Sequence, residues 1–198
     1  AETGSWERAE PNPTTATVFD FDVALDCSDL CMVTGNGLTS NTDQNDVDNG
    51  FTTLISPIFD LTGLSTPHLN YARSFYCYHG PGNIDDTLSI VLSNGLDQVL
   101  LEEIVAPQGQ AMTWEYKSFA LAGLLTFTNT MQLFIRTADY APNPNITEAA
   151  FDHFSLSNEP ILDLNNEGSL GNYLLYPNPG QDQLFLVGST KETSVKVY

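Results

Sequence analysis

Asp46 and Asp48 stand one residue apart in a run of short oxygen-bearing side chains, with Asn45 ahead of them and Asn49 and Gly50 behind. Carboxylates and amide oxygens gathered this densely are what a hard cation such as Ca²⁺ requires, because it binds through several oxygens, some of them charged. The spacing is not that of an EF-hand: the glycine falls in the wrong place and no bidentate glutamate completes the loop. A turn whose Asx side chains bond their own backbone uses the same residues, and the sequence leaves the two readings level. Gly50 is followed by Phe51, Thr52, Thr53, Leu54 and Ile55, rich in β-branched and aromatic types, so the turn delivers a strand. Pro57 sets at least one end of that strand at an edge or a bulge.

Other chemistry is sparse. No metalloprotease helix motif, nucleophile elbow or phosphate-cradling glycine loop occurs, and His79 and His153 have no evident nucleophile. Glu102 and Glu103 are adjacent and so face opposite ways on a strand, unsuited to joint acid and base work. No enzymatic activity is expected. Tyr76 and Tyr78, beside the glycines at 80 and 82, are the candidate platform for stacking sugar rings, against the commoner fate of strand aromatics as core. Arg73, embedded in an aromatic strand, is expected to pair with Asp86, Asp48 or Asp152.

Stepping along the chain, short apolar or β-branched runs are punctuated by Gly, Pro, Asn and Asp, and no segment sustains a helical period. The fold expected is all-β: a two-sheet antiparallel jelly-roll sandwich, with a truncated small β-sandwich at the C-terminus. Residues 1–13 read as irregular, because Pro11 and Pro13 forbid regular pairing. Leu69, Tyr71, Arg73, Phe75 and Cys77 share one strand parity, which is expected to face the core, and two hairpin-like returns are expected to follow it. Composition shifts at Asn158, giving a first domain at 1–158, a polar linker at 159–171 and a second unit at 172–198.

Six Lys and Arg against 25 Asp and Glu leave a formal charge of −19, a field that repels phosphate backbones and anionic lipid. Nucleic acid is excluded as a partner on that ground. No apolar run is long enough to span a bilayer as a helix, so membrane insertion is not expected either.

Gly4-Ser5-Trp6-Glu7-Arg8, Cys31-Met32-Val33-Thr34, the run from Asn45 through Gly50, Asp85-Asp86-Thr87-Leu88 and Glu148-Ala149-Ala150-Phe151-Asp152 together resemble the MAM-like jelly-roll module of secreted bacterial multidomain proteins. That pattern places a strand ahead of Trp6, so the first strand of the domain is expected upstream of this sequence. The resemblance also implies a structural cation beside the last strand, which makes Glu148 and Asp152 the second half of a Ca²⁺ site with Asp46 and Asp48. Leu175-Tyr176-Pro177-Asn178-Pro179, followed by Asp182 and Leu184, resembles the opening of the C-terminal sorting domain of type IX secretion cargo in Bacteroidetes. It implies export through that machinery to the cell surface or medium. Beyond the export machinery, glycans or surface proteins are the partners expected of the module itself. Three cysteines are present, and an oxidising exterior favours a disulfide between Cys27 and Cys31 over a zinc site, with Cys31 to Cys77 as the alternative.

Overall fold

The computed structural model describes residues 1–12, 22–23, 28–37, 45–78, 85–105, 113–140 and 145–158, and the backbone of three strands within 174–195. Two compact units result, Ala1–Ile161 and Leu162–Tyr198. The first contains β1 (Trp6–Ala9), β2 (Cys31–Thr34), β3 (Gly50–Ile55), β4 (His68–Tyr78) and β5 (Thr87–Ser93). It continues with β6 (Gln98–Val105), β7 (Glu115–Ala120), β8 (Gln132–Asp139) and β9 (Ile146–Ser157). The second unit is an antiparallel sheet of β10 (Leu174–Tyr176), β11 (Leu184–Val187) and β12 (Glu192–Val195), in that order.

The first unit is all-β, a sandwich of a five-stranded sheet, β1-β2-β9-β4-β7, on a four-stranded sheet, β3-β8-β5-β6. Strand β2 pairs with β9, β3 with β8, β4 with β7 and β5 with β6, all antiparallel, which is a long hairpin rolled upon itself. This nesting is the jelly roll. Its consequence for function is that residues near 46 and 147, remote in sequence, become neighbours.

Period-two alternation decides which side chains go inside. Along β5, Leu88, Ile90 and Leu92 are buried while Thr87, Ser89 and Val91 stay partly exposed; along β8, Leu133 and Ile135 are buried between the partly exposed Gln132, Phe134 and Arg136. They meet Leu69, Tyr71, Ala149 and Phe151 from the other sheet in one apolar core. Tyr71 lies between Phe119 and Phe151, with ring centroids 5.8 and 5.2 Å away.

Four expectations are corrected. Trp6–Ala9 is a strand paired on β2, because the prolines that suggested irregularity fall after it. β4 is buried on both faces: Asn70 accepts from Ser118 and donates to Ser157, and Tyr76 packs with Cys31, Val33 and Ala150 in a second cluster. Of the two expected returns, the one between β5 and β6 is a hairpin, and the one after β6 is not, since β7 belongs to the opposite sheet. Arg73 pairs with neither Asp48, Asp86 nor Asp152. Its Nη2 sits 2.6 Å from Glu102 Oε1 and its Nη1 2.9 Å from Glu115 Oε1, while Tyr71 donates to Glu102 at 3.0 Å.

Glu115 is Arg73's direct cross-strand neighbour, and Glu102 reaches it from β6 in the facing sheet. Geometry at the open margin of the sandwich therefore decided the partner, which sequence distance could not. With its guanidinium nearly buried, Arg73 depends on this pair, and Glu102→Ala is expected to cost about 2 kcal/mol by removing the closer of its two carboxylate partners and the acceptor of the Tyr71 hydroxyl. Glu103→Ala, one residue on and exposed, should cost less than about 0.5 kcal/mol. Urea denaturation of both variants checks this, and equal losses would refute it.

Candidate functional site

The turn ahead of β3 is clamped from three directions. Thr3 Oγ1 donates to the Asp46 carbonyl at 2.7 Å and to Asp48 Oδ2 at 3.3 Å, and the Glu2 N–H donates to the Asp48 carbonyl at 2.9 Å. From β9, Thr147 accepts the Val47 N–H at 2.9 Å and its own N–H donates to Asp46 Oδ2 at 3.2 Å. Gly4 and Gly35, with φ of +73° and +63°, press so closely on the backbone of Val47 and Asn45 that a Cβ at either would collide. Asn49, at φ 53°, then turns the chain into the strand.

Beside this turn Glu148 projects from β9 next to Tyr76, its cross-strand partner. Its side chain is fully buried, and among the described residues neither carboxylate oxygen has a hydrogen-bond partner. Burial, and then repulsion from the Asp46 carboxylate, push its pKa up to about 8. Asp46 is itself only 2% exposed. Of the four carboxylates expected to form a cation site, Asp46 and Glu148 are thus brought together.

A second pair lies inside the sandwich, which the sequence reading did not single out. Thr87 is registered opposite Ala138, so Asp86 and Asp139 face each other at the next rung, both buried. Like charges directly opposed in a dry interior are costly, which favours the protonated form of Asp139. Burial first, then the Asp86 and Asp48 carboxylates, push its pKa up to about 7, against a bond from the Asn49 N–H. Asp86 Oδ2 also accepts from Cys77 Sγ at 2.6 Å and from Thr147 Oγ1 at 3.1 Å, and burial drives the Cys77 thiol well above its usual range. Period two carries the signal that was available: Asp86 and Asp139 continue the buried parity of Leu88 and of Thr137.

The remaining expected residues are placed elsewhere. Asp152 lies four strand positions beyond Glu148, roughly 13 Å at the usual rise, next to the bulge at His153 (φ 53°). There it lines an apolar groove of about 200 Å³ with Met32, Leu54 and Phe154. Asp48 lies on the Asp139 side of the turn, where its charge is felt. Tyr76, expected to offer its ring to a sugar, is buried in the second cluster because the outer face of its sheet is covered there; Tyr78 is 53% exposed. Cys27 lies outside the described residues, so its pairing with Cys31 stays an expectation. Cys31 packs with the second cluster while Cys77 points to Asp86 inside, so these two face opposite sides of the sheet. Among the described residues no three His, Cys, Asp or Glu side chains converge as a metal-holding group. Nor is any helix among them long and apolar enough to cross a membrane.

No known protein family matches this sequence. No curated protein matches it either. Among solved structures, the chain resembles TmCBM61, determined in complex with β-1,4-galactotriose, at 9% identity and a TM-score of 0.35. The likeness covers 67% of this chain and 73% of that one.

Asp139 gives a signed expectation. A carboxyl whose folded pKa is raised stabilises the fold fully below its ordinary value near 3.8, and that contribution is lost as pH rises through about 7. Asp139→Asn, neutral throughout and still able to donate to Asp86, should therefore gain on the parent between pH 4 and pH 8, by roughly 1 kcal/mol or more at the upper end. Denaturant midpoints across that range, in chelator, measure the gap. A gap that stays constant with pH would rule the account out.

Proposed function

We propose that this chain is a non-catalytic recognition module of an exported multidomain protein, its jelly roll held at one end by a structural Ca²⁺. The observation that carries the reading is Glu148, fully buried with both oxygens unsatisfied among the described residues, beside a second buried carboxylate. Desolvating a carboxylate without a partner is costly, and a hard divalent ion removes the cost by supplying the missing charge. Asp46 and Glu148 would be the protein's charged ligands. Backbone carbonyls of the clamped turn and water would complete the oxygen shell that Ca²⁺ prefers. When bound, the ion would tie the turn ahead of β3 to β9.

Export by the type IX route is part of the same proposal. It is supported by the residues from Leu175 to Pro179, and by three short antiparallel strands in a separate unit where they lie. The acidic, weakly cationic surface fits a partner that is neither nucleic acid nor anionic membrane.

Chelation and return of calcium test the ion. The metal-stripped chain should melt several degrees lower than the chain in millimolar Ca²⁺, since an ion bound only to the native state stabilises by mass action. Glu148→Gln should abolish most of that response. A melting temperature indifferent to both chelator and calcium would reject the cation.

A further inference from the structure

The solvent side of the four-stranded sheet carries an ordered pattern. Register places Thr53 of β3 opposite Arg136 of β8, Arg136 opposite Ser89 of β5, and Ser89 opposite Glu103 of β6. These four share one face, so a polar row crosses all four strands, about 14 Å long at the ordinary strand spacing. Apolar side chains flank it: Phe51 and Val105 on one side, Ile55, Phe134, Val91 and Leu100 on the other. Phe51, Ile55, Leu100 and Val105 are each about half exposed, at 49, 51, 52 and 53%. On a sheet face that merely met water, such exposure of large apolar side chains in line is unusual.

Arg136 is held in place. Its guanidinium carbon lies 3.5 Å from the centroid of the Phe51 ring, and its Nη2 donates to Tyr140 Oη at 3.4 Å. Cation–π stacking keeps the side chain flat along the face and leaves donors free for an incoming acceptor. The bulge at β6 matters too. It brings Leu100 opposite Val91 while Glu102 turns inward to Arg73 and Glu103 outward to the row.

We infer that this face binds a neutral oligosaccharide laid across the strands, its hydroxyls on the row Thr53, Arg136, Ser89 and Glu103 and its apolar ring faces on the flanking rows. A row containing a cation, an anion and two hydroxyls offers both donors and acceptors, which suits sugar hydroxyls and not a uniform charge. The field of a chain at −19 opposes an acidic polysaccharide. An apolar peptide would leave the Arg136 and Glu103 groups desolvated without partners. The inference deepens the recognition-module reading by naming its ligand, and it concerns a different sheet from the cation. Calcium independence of the melt would therefore leave it standing.

The test is a titration of the full chain with β-1,4-linked hexasaccharides of glucose, mannose, xylose and galactose, with oligogalacturonate and an extended alternating peptide alongside. Backbone amide shifts in NMR report the location and calorimetry the affinity, both in calcium. At least one neutral hexasaccharide should bind about tenfold more tightly than the uronate, with shifts centred on β5 and β8. Ser89→Trp, which blocks the middle of the row, and Arg136→Ala should each weaken it about tenfold or more at unchanged melting temperature. Four outcomes overturn the assignment: no neutral sugar binding, tighter binding of the uronate or the peptide, undiminished binding by Ser89→Trp, or loss of binding on Tyr78→Ala in its place.

Discussion

Burying a carboxylate out of reach of water and of hydrogen-bond donors costs free energy that apolar packing alone must offset, and the rest of this domain is arranged around that constraint. Glu148, Asp46, Asp86 and Asp139 all lie buried at the end of the sandwich where the turn before β3 meets β9. The apolar core of Leu88, Ile90, Leu133 and Ile135 stops one rung short of them. The two faces of the β9 sheet then differ. Inside, burial and then the Asp86 carboxylate push the Asp139 pKa up to about 7, so a proton there relieves the repulsion. Outside, on the other face of the β9 sheet, Glu148 has no hydrogen-bond partner among the described residues.

Topology is what allows the concentration. In a jelly roll each strand's partner comes from the opposite end of the chain, so the turn carrying Asp46 and Asp48 lands against Thr147 and Glu148. Asp139 likewise meets Gly50, the last residue of that turn. The clamping by Thr3, Gly4 and Gly35 gives the turn little room to move away from its own charges. Both the N-terminal segment and β9 hold it in that position.

How much of this the sequence disclosed depends on the range of the interaction. Strand positions follow from period two and turn residues, which are local, and β2, β5 and β6 fall where composition puts them. Asp46 stood out because its neighbours Asn45 and Asp48 are acidic or amide too. Asp139 did not, because its parity marks it as inward-facing but nothing near it in sequence pairs it with another acid; only the cross-strand register gives it Asp86. The partner of Arg73 was missed for the same reason, and Tyr76 was misjudged because parity alone does not reveal that a sheet's outer face is covered. Trp6 to Ala9 show the reverse error, where two prolines beyond the strand weighed more than the strand itself.

The two outer faces of the sandwich are treated differently, and this difference bears on function more than the shared core does. On the five-stranded sheet, Ala72, Ser74 and Tyr76 of β4 are buried on the outward parity, so that face is closed at its centre. On the four-stranded sheet Thr87, Ser89 and Val91 of β5 and Gln132, Phe134 and Arg136 of β8 remain partly exposed, and Phe51 and Ile55 of β3 and Leu100, Glu103 and Val105 of β6 more so. Exposed β-branched and aromatic side chains on an open face, beside a free edge strand, invite aggregation unless charge interrupts them. Arg136 and Glu103 interrupt this one at every second strand. A single pair of charges would be enough to protect the face, yet Arg136 is also stacked and hydrogen-bonded into one orientation, at an entropic cost that protection does not require. An oriented guanidinium in a polar row flanked by apolar side chains is what recognition needs, and solubility alone gives no reason to hold it still.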